Sequence, residues 1–228
     1  MNSSRQPSVK PETRQPRKSA IGGLIGLILI AGSATAIVSV VEQLTRERIA
    51  ANQSARAMQI IAEVLPRGSY NNNPQQDSLS LTDSALLGGA ASLPAYRARF
   101  DQSPVAVALT VDAPDGYVAP IRLLVGIDNE GYVTAVRALR HVETPGLGDQ
   151  IDIDKSDWVI QFNGRKLSAG RGSLALKRDG GDLDHISGAT ITSRAVSKAV
   201  SNALKYYEQN REQLFAPDAA SQMPAQEP

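Results

Sequence analysis

The stretch VAVALTVDAPDGYVAPIRLLVGIDNEGYVTAVRAL, residues 105–139, gives the clearest indication of the fold class. It contains three runs rich in β-branched residues, separated by the turn sequences DAPDG (112–116) and DNEG (128–131). Asp, Asn, Pro and Gly favour chain reversals, and short β-branched runs between turns are typical of neighbouring strands. Together with the preceding run YRARF, residues 96–100, the pattern predicts an antiparallel meander.

Helices are predicted on either side of this meander. Residues 42–65 read as a helix that ends before Pro66, because a proline disfavours helical geometry in the residue before it. The segments 154–164 (DKSDWVIQFNG) and 173–182 (SLALKRDGGD) are interpreted as a short helix and as a strand leading into a Gly-rich turn. Beyond residue 190, one helical face is apolar, and it consists of Val196, Ala199, Val200, Ala203, Leu204 and Tyr207. The predicted fold class is α+β, an antiparallel sheet flanked by helices.

Residues 20–41 carry no charge and predict a membrane segment. As a helix rising ~1.5 Å per residue they would reach roughly 33 Å, enough to cross a ~30 Å hydrocarbon core. Five basic residues precede the segment, which favours a cytoplasmic N-terminus and places the main domain across the membrane. A cleaved signal peptide is the alternative, because Ala34-Thr35-Ala36 fits a cleavage site. The apolar run continues past that site, which favours a retained anchor.

Composition excludes several kinds of function. The chain has no cysteine, which excludes disulfides, thiolate catalysis and iron–sulfur ligation by this chain. The part that follows residue 41 carries more acidic than basic residues, so nucleic acid is not an expected partner. The two histidines, His141 and His185, are not accompanied by a pattern of carboxylates that would indicate a metal site.

The stretch DHISGATITSRA, residues 184–195, marks a candidate site at the start of the last helix. A helix N-terminus presents unpaired N–H groups and the positive end of the helix dipole, which favours phosphate binding. A simpler interpretation is that Thr192 or Ser193 caps the helix. A cap does not require two minimal residues in front of it, however, and Gly188 and Ala189 stand there.

A second candidate is the loop ETPGLGDQI, residues 143–151. Pro145 followed by Gly146 and Gly148 leaves backbone N–H groups bare, so the loop could approach a planar ligand closely. It could equally be an ordinary connection between the sheet and the next helix. The spacing is not G-x-G-x-x-G, so it does not indicate a dinucleotide-binding fold.

These motifs carry a resemblance to a known family. Residues 184–190 match the pattern D-x-x-[ST]-G-A-T of proteins that carry FMN through a threonine phosphoester. Together with ETPGLGD (143–149), DAPDGYVAPIRLLVGID (112–128) and the N-terminal apolar segment, they make the chain resemble the G-subunit family of Rnf/Rsx ion-translocating electron-transport complexes. This family of covalent FMN-binding domains is related to the C subunit of the Na⁺-translocating NADH:quinone reductase. The resemblance spans roughly residues 20–215.

The resemblance implies a role for each matching residue. Thr190 would bear the phosphate of the covalent FMN. Four residues would form the sequence that a dedicated flavin transferase recognises: Asp184, Ser187, Gly188 and Ala189. Four further residues would line the flavin: Glu143, Thr144, Gly146 and Leu147. No catalytic residue is expected, because such a subunit relays electrons.

The family also implies a function and a location. The chain would be a membrane-anchored flavoprotein subunit in ferredoxin/NAD electron transfer coupled to ion translocation, in the bacterial inner membrane. Its partners would be the other subunits, the flavin transferase and the membrane. The expected segments are a cytoplasmic tail 1–19, a single transmembrane helix 20–41, a stalk helix 42–66, a linker loop 67–94, an FMN-binding domain 95–214 and a disordered tail 215–228.

Other interpretations remain open at this stage. A C subunit of the Na⁺-translocating NADH:quinone reductase would share the FMN signature, and a membrane scaffold would carry the motif unmodified. A hydrolase with Ser187 or Thr190 as nucleophile is disfavoured, because neither G-x-S-x-G nor S-x-x-K is present around them. Lys177 and Arg178 could contact the FMN phosphate or lie at the edge of a strand. Trp158 is interpreted as a core residue in preference to a residue that stacks on the flavin.

Overall fold

The computed structural model describes residues 27–28, 30–35, 39, 42, 56–89, 91–167 and 174–216. The chain divides into two compact units, Met1–Ser54 and Ala55–Pro228. In the first unit, the described residues are helical. The predicted tail 1–19 and most of the predicted membrane segment 20–41 lie outside the described residues. Within the part of the chain that the structure describes, no helix is both long enough and apolar enough to cross a membrane.

The second unit is built on a five-stranded antiparallel sheet whose strands are neighbours in chain order. The strands are β1 (Ser78–Leu81), β2 (Leu93–Phe100), β3 (Ser103–Ala113), β4 (Ile121–Asp128) and β5 (Val133–Arg140). The predicted antiparallel meander is therefore confirmed. The prediction of a loop over 67–94 is wrong for β1, whose sequence SLSL alternates polar and apolar residues and whose four residues pair with β2.

Helices cover both faces of the sheet. The helix α2 (Thr190–Phe215) packs on the face that carries Val107 and Leu109, and all six residues of its predicted apolar face are buried. The helical residues 56–64, called α1 here, pack on the opposite face with Ala106 and Ala108. Successive side chains of a strand point to opposite faces, so β3 contributes to both cores.

The end of α1 lies directly on the sheet. A Cβ atom added at Gly126 of β4 would lie 2.0 Å from the carbonyl oxygen of Val64, so this position requires glycine. The Thr134 hydroxyl donates to the same carbonyl, and Arg137 Nε donates to Glu63 Oε2 at 2.8 Å. Of the predicted helix 42–65, residue 42 and α1 are helical, and residues 43–55 lie outside the described residues.

Among the described residues, three 3₁₀ helices follow β5: Gly148–Ile151, Asp157–Phe162 and Lys177–Asp179. The short helix predicted over 154–164 is thus a 3₁₀ helix, and the Ser156 side chain caps it by accepting from the Trp158 N–H at 3.2 Å. The strand predicted over 173–182 is reduced to one isolated bridge between Leu176 and Leu183. The reason is that the chain turns at once, since Gly180 adopts the left-handed conformation with φ 85° and its N–H donates to the Lys177 carbonyl at 3.1 Å.

Two arginines of β2 form hydrogen bonds with the C-terminal end of α2. Arg97, 2% exposed, donates to the Ala216 carbonyl at 3.0 Å, and Arg99 donates to the Phe215 and Ala216 carbonyls at 3.2 Å. Asp77 forms ion pairs with both arginines. The last carbonyls of a helix have no intrahelical partner and carry partial negative charge, so these cations satisfy them. Of the predicted disordered tail 215–228, all but the first two residues lie outside the described residues.

Candidate functional site

A cavity of about 440 Å³ opens where α2 begins, and we call it the Thr190 cavity. Three segments meet there: the loop between β3 and β4, the loop that follows β5, and the start of α2. The residues that line it are Tyr117, Glu143, Thr144, Leu147, Gly148, Gly188, Ala189, Thr190, Ile191 and Thr192.

The structure brings the two sequence motifs together at this cavity. Six of the residues singled out by sequence line it: Glu143, Thr144, Leu147, Gly188, Ala189 and Thr190. Gly146, Asp184 and Ser187 are exposed and are not among the lining residues. Each motif thus contributes to the cavity by part of its length.

Glu143 ties the three segments to one another. Its carboxylate is buried, with 5% of the residue exposed. Oε1 accepts from the Tyr117 N–H at 3.0 Å, and Oε2 accepts from the Thr192 hydroxyl at 2.6 Å. One carboxylate therefore holds the β3–β4 loop and the first turn of α2 against the loop that follows β5.

Glycines allow this close approach. A Cβ atom added at Gly148 would lie 2.6 Å from Glu143 Oε2, which real Cβ atoms do not tolerate. Gly188 has φ 77°, a left-handed conformation that favours glycine, and an added Cβ would lie 3.0 Å from the Leu147 side chain. One glycine of each motif, Gly148 and Gly188, is therefore needed by the fold around the cavity, apart from any ligand.

The hydroxyls at the start of α2 do not cap the helix, so the capping interpretation of Thr192 and Ser193 is wrong. The N-cap residue is Ala189, and it makes no side-chain capping bond. The Thr192 hydroxyl donates to Glu143, while the Ser193 hydroxyl donates to the Ala189 carbonyl at 3.0 Å and accepts from the Ile186 N–H at 2.9 Å. The first N–H groups of a helix have no intrahelical partner, so the α2 N-terminus stays suited to an anion.

Thr190 is the first residue of α2 and is partly exposed. Arg178 Nη1 donates to its hydroxyl oxygen at 2.9 Å. Arg178 belongs to the 3₁₀ helix Lys177–Asp179 and therefore does not lie at the edge of a strand. Its side chain contacts Thr190 instead.

The neighbours of Arg178 form ion pairs of their own. Asp179 accepts two bonds from Arg194 of α2, at 2.6 and 2.7 Å, and Lys177 Nζ lies 2.8 Å from Asp184 Oδ1. The hydrogen bond with Arg194 lowers the pKa of the Asp179 carboxyl below its ordinary value and raises the pKa of Arg194. This end of α2 is thus surrounded by fixed charges of both signs.

Asp184 and Trp158 meet behind the cavity. The Trp158 indole N–H donates to the Asp184 carbonyl at 2.7 Å, and the Asp184 N–H donates to Gln161 Oε1 at 2.8 Å. Trp158 is partly buried against the main core and packs edge-on against Phe162, in line with its interpretation as a core residue. These bonds fix the turn that leads into Ser187 and Gly188.

His141 holds the start of the loop that follows β5. Its Nδ1 accepts from the Glu143 N–H at 3.2 Å, which leaves Nε2 to donate to Asp152 Oδ2 at 3.1 Å. His185 is exposed. Among the described residues, no group of three or more His, Asp or Glu side chains is arranged to hold a metal ion.

Sequence reasoning missed two lining residues, Tyr117 and Ile191, and it named Gly148 and Thr192 without assigning them to the flavin site. Gly148 and Thr192 lie inside the quoted motifs, so their position was a usable signal. Tyr117 lies in the turn between β3 and β4, and only the folded position of that turn brings it to the cavity. Its ring is 64% exposed, so it stands at the cavity rim.

Comparisons with known proteins assign the family. A family model described as FMN-binding domain matches residues 116–205, and a model described as RnfG N-terminal region matches residues 17–64. The G subunit of an ion-translocating oxidoreductase complex from Pseudomonas aeruginosa is 43% identical over 199 residues, covering 87% of this chain and 92% of that protein. The corresponding protein from Vibrio cholerae is 42% identical over 193 residues, covering 84% of this chain and 91% of that protein.

Among solved structures, the crystal structure of Shewanella oneidensis NqrC is similar, with a TM-score of 0.46 and 22% identity over 66% of this chain and 74% of that chain. The two family models match separate parts of the sequence, and the relatives align with most of its length. The chain belongs to the family of G subunits of ion-translocating oxidoreductase complexes and contains its FMN-binding domain.

Proposed function

We propose that this chain is a flavoprotein subunit of an ion-translocating oxidoreductase complex and holds FMN covalently through a phosphoester to Thr190. It relays electrons within ferredoxin/NAD electron transfer coupled to ion movement. The observation that carries the proposal is the position of Thr190. The hydroxyl of the D-x-x-[ST]-G-A-T motif lies at a cavity formed by the motif and the ETPGLGD loop, inside the stretch that matches the FMN-binding domain.

The residues around the cavity fit such a cofactor. Cavities that bind small molecules have volumes of ~300–1,000 Å³ and combine apolar walls with a few polar groups. The Thr190 cavity, at about 440 Å³, lies in that range. Leu147, Tyr117 and Ile191 supply apolar surface for a ring system, and the first turn of α2 with Arg178 supplies N–H donors for a phosphate.

When bound, FMN supplies the one- and two-electron chemistry, and the chain's own residues position it. Glu143 braces the cavity walls, because its two carboxylate oxygens accept bonds from the Tyr117 N–H and the Thr192 hydroxyl. Thr190 would hold the phosphate end and so keep the cofactor on this chain.

The same turn suits a modifying enzyme. Ser187 and Gly188 are exposed, Thr190 is partly exposed, and none of the three carries a large side chain. Asp184 lies on the surface three residues before Ser187. These features support a recognition sequence of Asp184, Ser187, Gly188 and Ala189, read by a flavin transferase before or during attachment.

The proposal includes an arrangement in the bacterial inner membrane. The uncharged segment 20–41 would be a retained, single transmembrane helix, with the tail 1–19 in the cytoplasm and the domain from residue 95 to residue 214 in the periplasm. The matching RnfG N-terminal region, residues 17–64, covers this segment in the family. Alkaline phosphatase fused after residue 216 should be active in cells, because it folds outside the cytoplasm; an inactive but intact fusion would contradict the orientation.

Covalent attachment is tested by intact mass and in-gel flavin fluorescence of the denatured chain, produced with an active flavin transferase. The native sequence should gain the mass of FMN less one water, and Thr190→Ala should gain nothing. Ser201→Ala is the matched control, since it removes a hydroxyl from the same helix away from the cavity. If no variant gains mass while the transferase modifies a known substrate, the chain is an unmodified subunit; a gain that persists in Thr190→Ala moves the attachment elsewhere.

A further inference from the structure

We propose that Arg178, which contacts the Thr190 hydroxyl from outside the set of residues that line the Thr190 cavity, pairs through its guanidinium with the anion that links the flavin to Thr190. The inference rests on the proposed function and extends it to a residue outside the motif. Arg178 would hold the cofactor after attachment, so its role differs from recognition by the transferase.

The first argument is the contact itself. Arg178 Nη1 donates to the Thr190 hydroxyl oxygen at 2.9 Å, although the arginine is exposed and burial does not force it there. A guanidinium has five N–H donors in a planar fork that matches phosphate oxygens. If a phosphate is attached to the Thr190 hydroxyl oxygen, one N–H of Arg178 can donate to that ester oxygen. The other N–H groups then remain for the other oxygens of the same phosphate.

The second argument is the way in which Arg178 is held. Asp179 on one side is bound to Arg194 of α2 by two bonds, and Lys177 on the other side is paired with Asp184. The Lys177 N–H also donates to the Leu183 carbonyl at 2.7 Å. Both flanking residues are thus anchored to the elements that carry Thr190, and the backbone of Arg178 is positioned beside the cavity before any ligand arrives.

The third argument concerns charge. The carboxylates of Asp179 and Asp184 are already paired with Arg194 and Lys177. In the described part of the chain, no carboxylate lies within ion-pair distance of Arg178, which contacts the neutral Thr190 hydroxyl instead. A phosphodiester at Thr190 would carry one negative charge. Attachment would therefore turn a hydrogen bond to a neutral group into a charge-assisted pair, which is roughly twice as strong.

The experiment compares the effect of one substitution on the flavinylated and the unmodified chain. Arg178→Gln removes the charge, Arg178→Lys keeps the charge without the fork, and Lys205→Gln is the control that removes an exposed charge from α2 far from the cavity. Each full-length variant is produced with and without an active flavin transferase. Intact mass gives the extent of modification, and the melting temperature is measured on both forms.

We expect Arg178→Gln to lower the melting temperature of the flavinylated chain by roughly 2–4 °C more than that of the unmodified chain, the shift typical of one such interaction at this chain length. Arg178→Lys should give a smaller excess, and Lys205→Gln should give none. The excess should shrink when salt is raised from about 0.01 M to about 1 M, because the screening length falls from ~30 Å to ~3 Å.

The possible failures are distinct. Equal losses in the flavinylated and unmodified chains would overturn the role of Arg178 and leave the proposed function intact. If neither Arg178 variant accepts flavin while Lys205→Gln does, Arg178 is read by the transferase, and the role in binding is again overturned. If Arg178→Gln alone is not modified, the comparison between flavinylated and unmodified forms is made with Arg178→Lys, and an excess loss in its flavinylated form supports the role of Arg178. If the native chain itself takes up no flavin, both proposals fail.

Discussion

At its C-terminal end, α2 meets two buried arginines, whereas at its N-terminal end it begins beside an open cavity. The buried Arg97 and Arg99 side chains donate hydrogen bonds to the last carbonyls of the helix, and both form ion pairs with Asp77. At the other end, Ala189 provides no side-chain cap, and the nearby cation, Arg178, is exposed. One end of the helix is satisfied by the protein alone, and the other end leaves donors and a hydroxyl for a ligand.

This difference between the two ends of α2 indicates that the N-terminal end is the functional one. A buried terminus needs partners, because unpaired backbone groups are costly to remove from water. The C-terminal end of α2 meets that requirement with residues from β2. The N-terminal end has no side-chain cap at Ala189, the Thr192 hydroxyl donates to Glu143 instead, and the first turn opens into the Thr190 cavity. We therefore expect substitutions at the C-terminal end to affect folding, and those at the N-terminal end to affect the cavity as well.

The largest effect is expected at the C-terminal end. Arg97→Met should lower the free energy of unfolding by about 3 kcal/mol, because it leaves Asp77 without one of its two cations and removes one of the two arginine donors to the Ala216 carbonyl. Urea denaturation of the unmodified chain measures the loss. Arg67→Met, at an exposed position, is the matched control and should change stability by less than about 0.5 kcal/mol. A similar small loss for Arg97→Met would mean that the buried arginine does not stabilise this end.

The second effect is expected at the brace of the cavity. Glu143→Ala should cost about 2 kcal/mol, since it leaves the Tyr117 N–H and the buried Thr192 hydroxyl without their acceptor. The same denaturation experiment measures it, together with Thr192→Val and the double variant. Because the two side chains share one bond, the double variant should lose less than the sum of the single losses. Strict additivity would contradict a direct Glu143–Thr192 interaction.

A smaller effect is expected where the two motifs touch. Gly188→Ala should cost about 1 kcal/mol or more, because φ is 77° and the new methyl group would press on Leu147. Gly146→Ala is the matched control, since it has the same φ of 77° with no atom within 4 Å of an added Cβ. The difference between the two variants isolates the contact of Gly188 with Leu147. Equal losses would mean that backbone conformation alone requires glycine at both positions.

Much of the fold could be predicted from the sequence, because its signals are local. The β-branched runs and the apolar face from Val196 to Tyr207 follow from periods of two and of about 3.6 residues, and both were recovered. Arg97 and Arg99 behave otherwise. Their charge in an alternating run suggests an exposed face, yet they are buried, since the end of α2 arrives from more than a hundred residues away.

The candidate site was predictable only in part, for the same reason. The motif residues Thr190 and Glu143 were found because each motif is contiguous in sequence. The meeting of the two motifs, and the arrival of Tyr117 from the β3–β4 loop, depend on how the sheet places its ends. The contact of Arg178 with Thr190 depends on a turn at Gly180 that shortens a predicted strand. Such contacts follow from packing, which a pattern of residue types does not encode.

The smallest effect concerns the exposed pair Arg194–Asp179, which anchors the segment of Arg178 to the N-terminal end of α2. The pKa of Asp179 is lowered from its ordinary value of 3.8 chiefly by the hydrogen bond with Arg194. A carboxyl whose pKa is lower in the folded state contributes stability that is present above its unfolded value and is lost as the pH falls through the folded value. Arg194→Gln should therefore lower the melting temperature at pH 7, and the difference from the native chain should vanish as the pH falls below 3.8. Asp179→Asn should show the same convergence; a gap that persists at low pH would mean that Arg194 stabilises the helix start by packing or by another partner, and that the segment of Arg178 is held by Lys177 and Asp184.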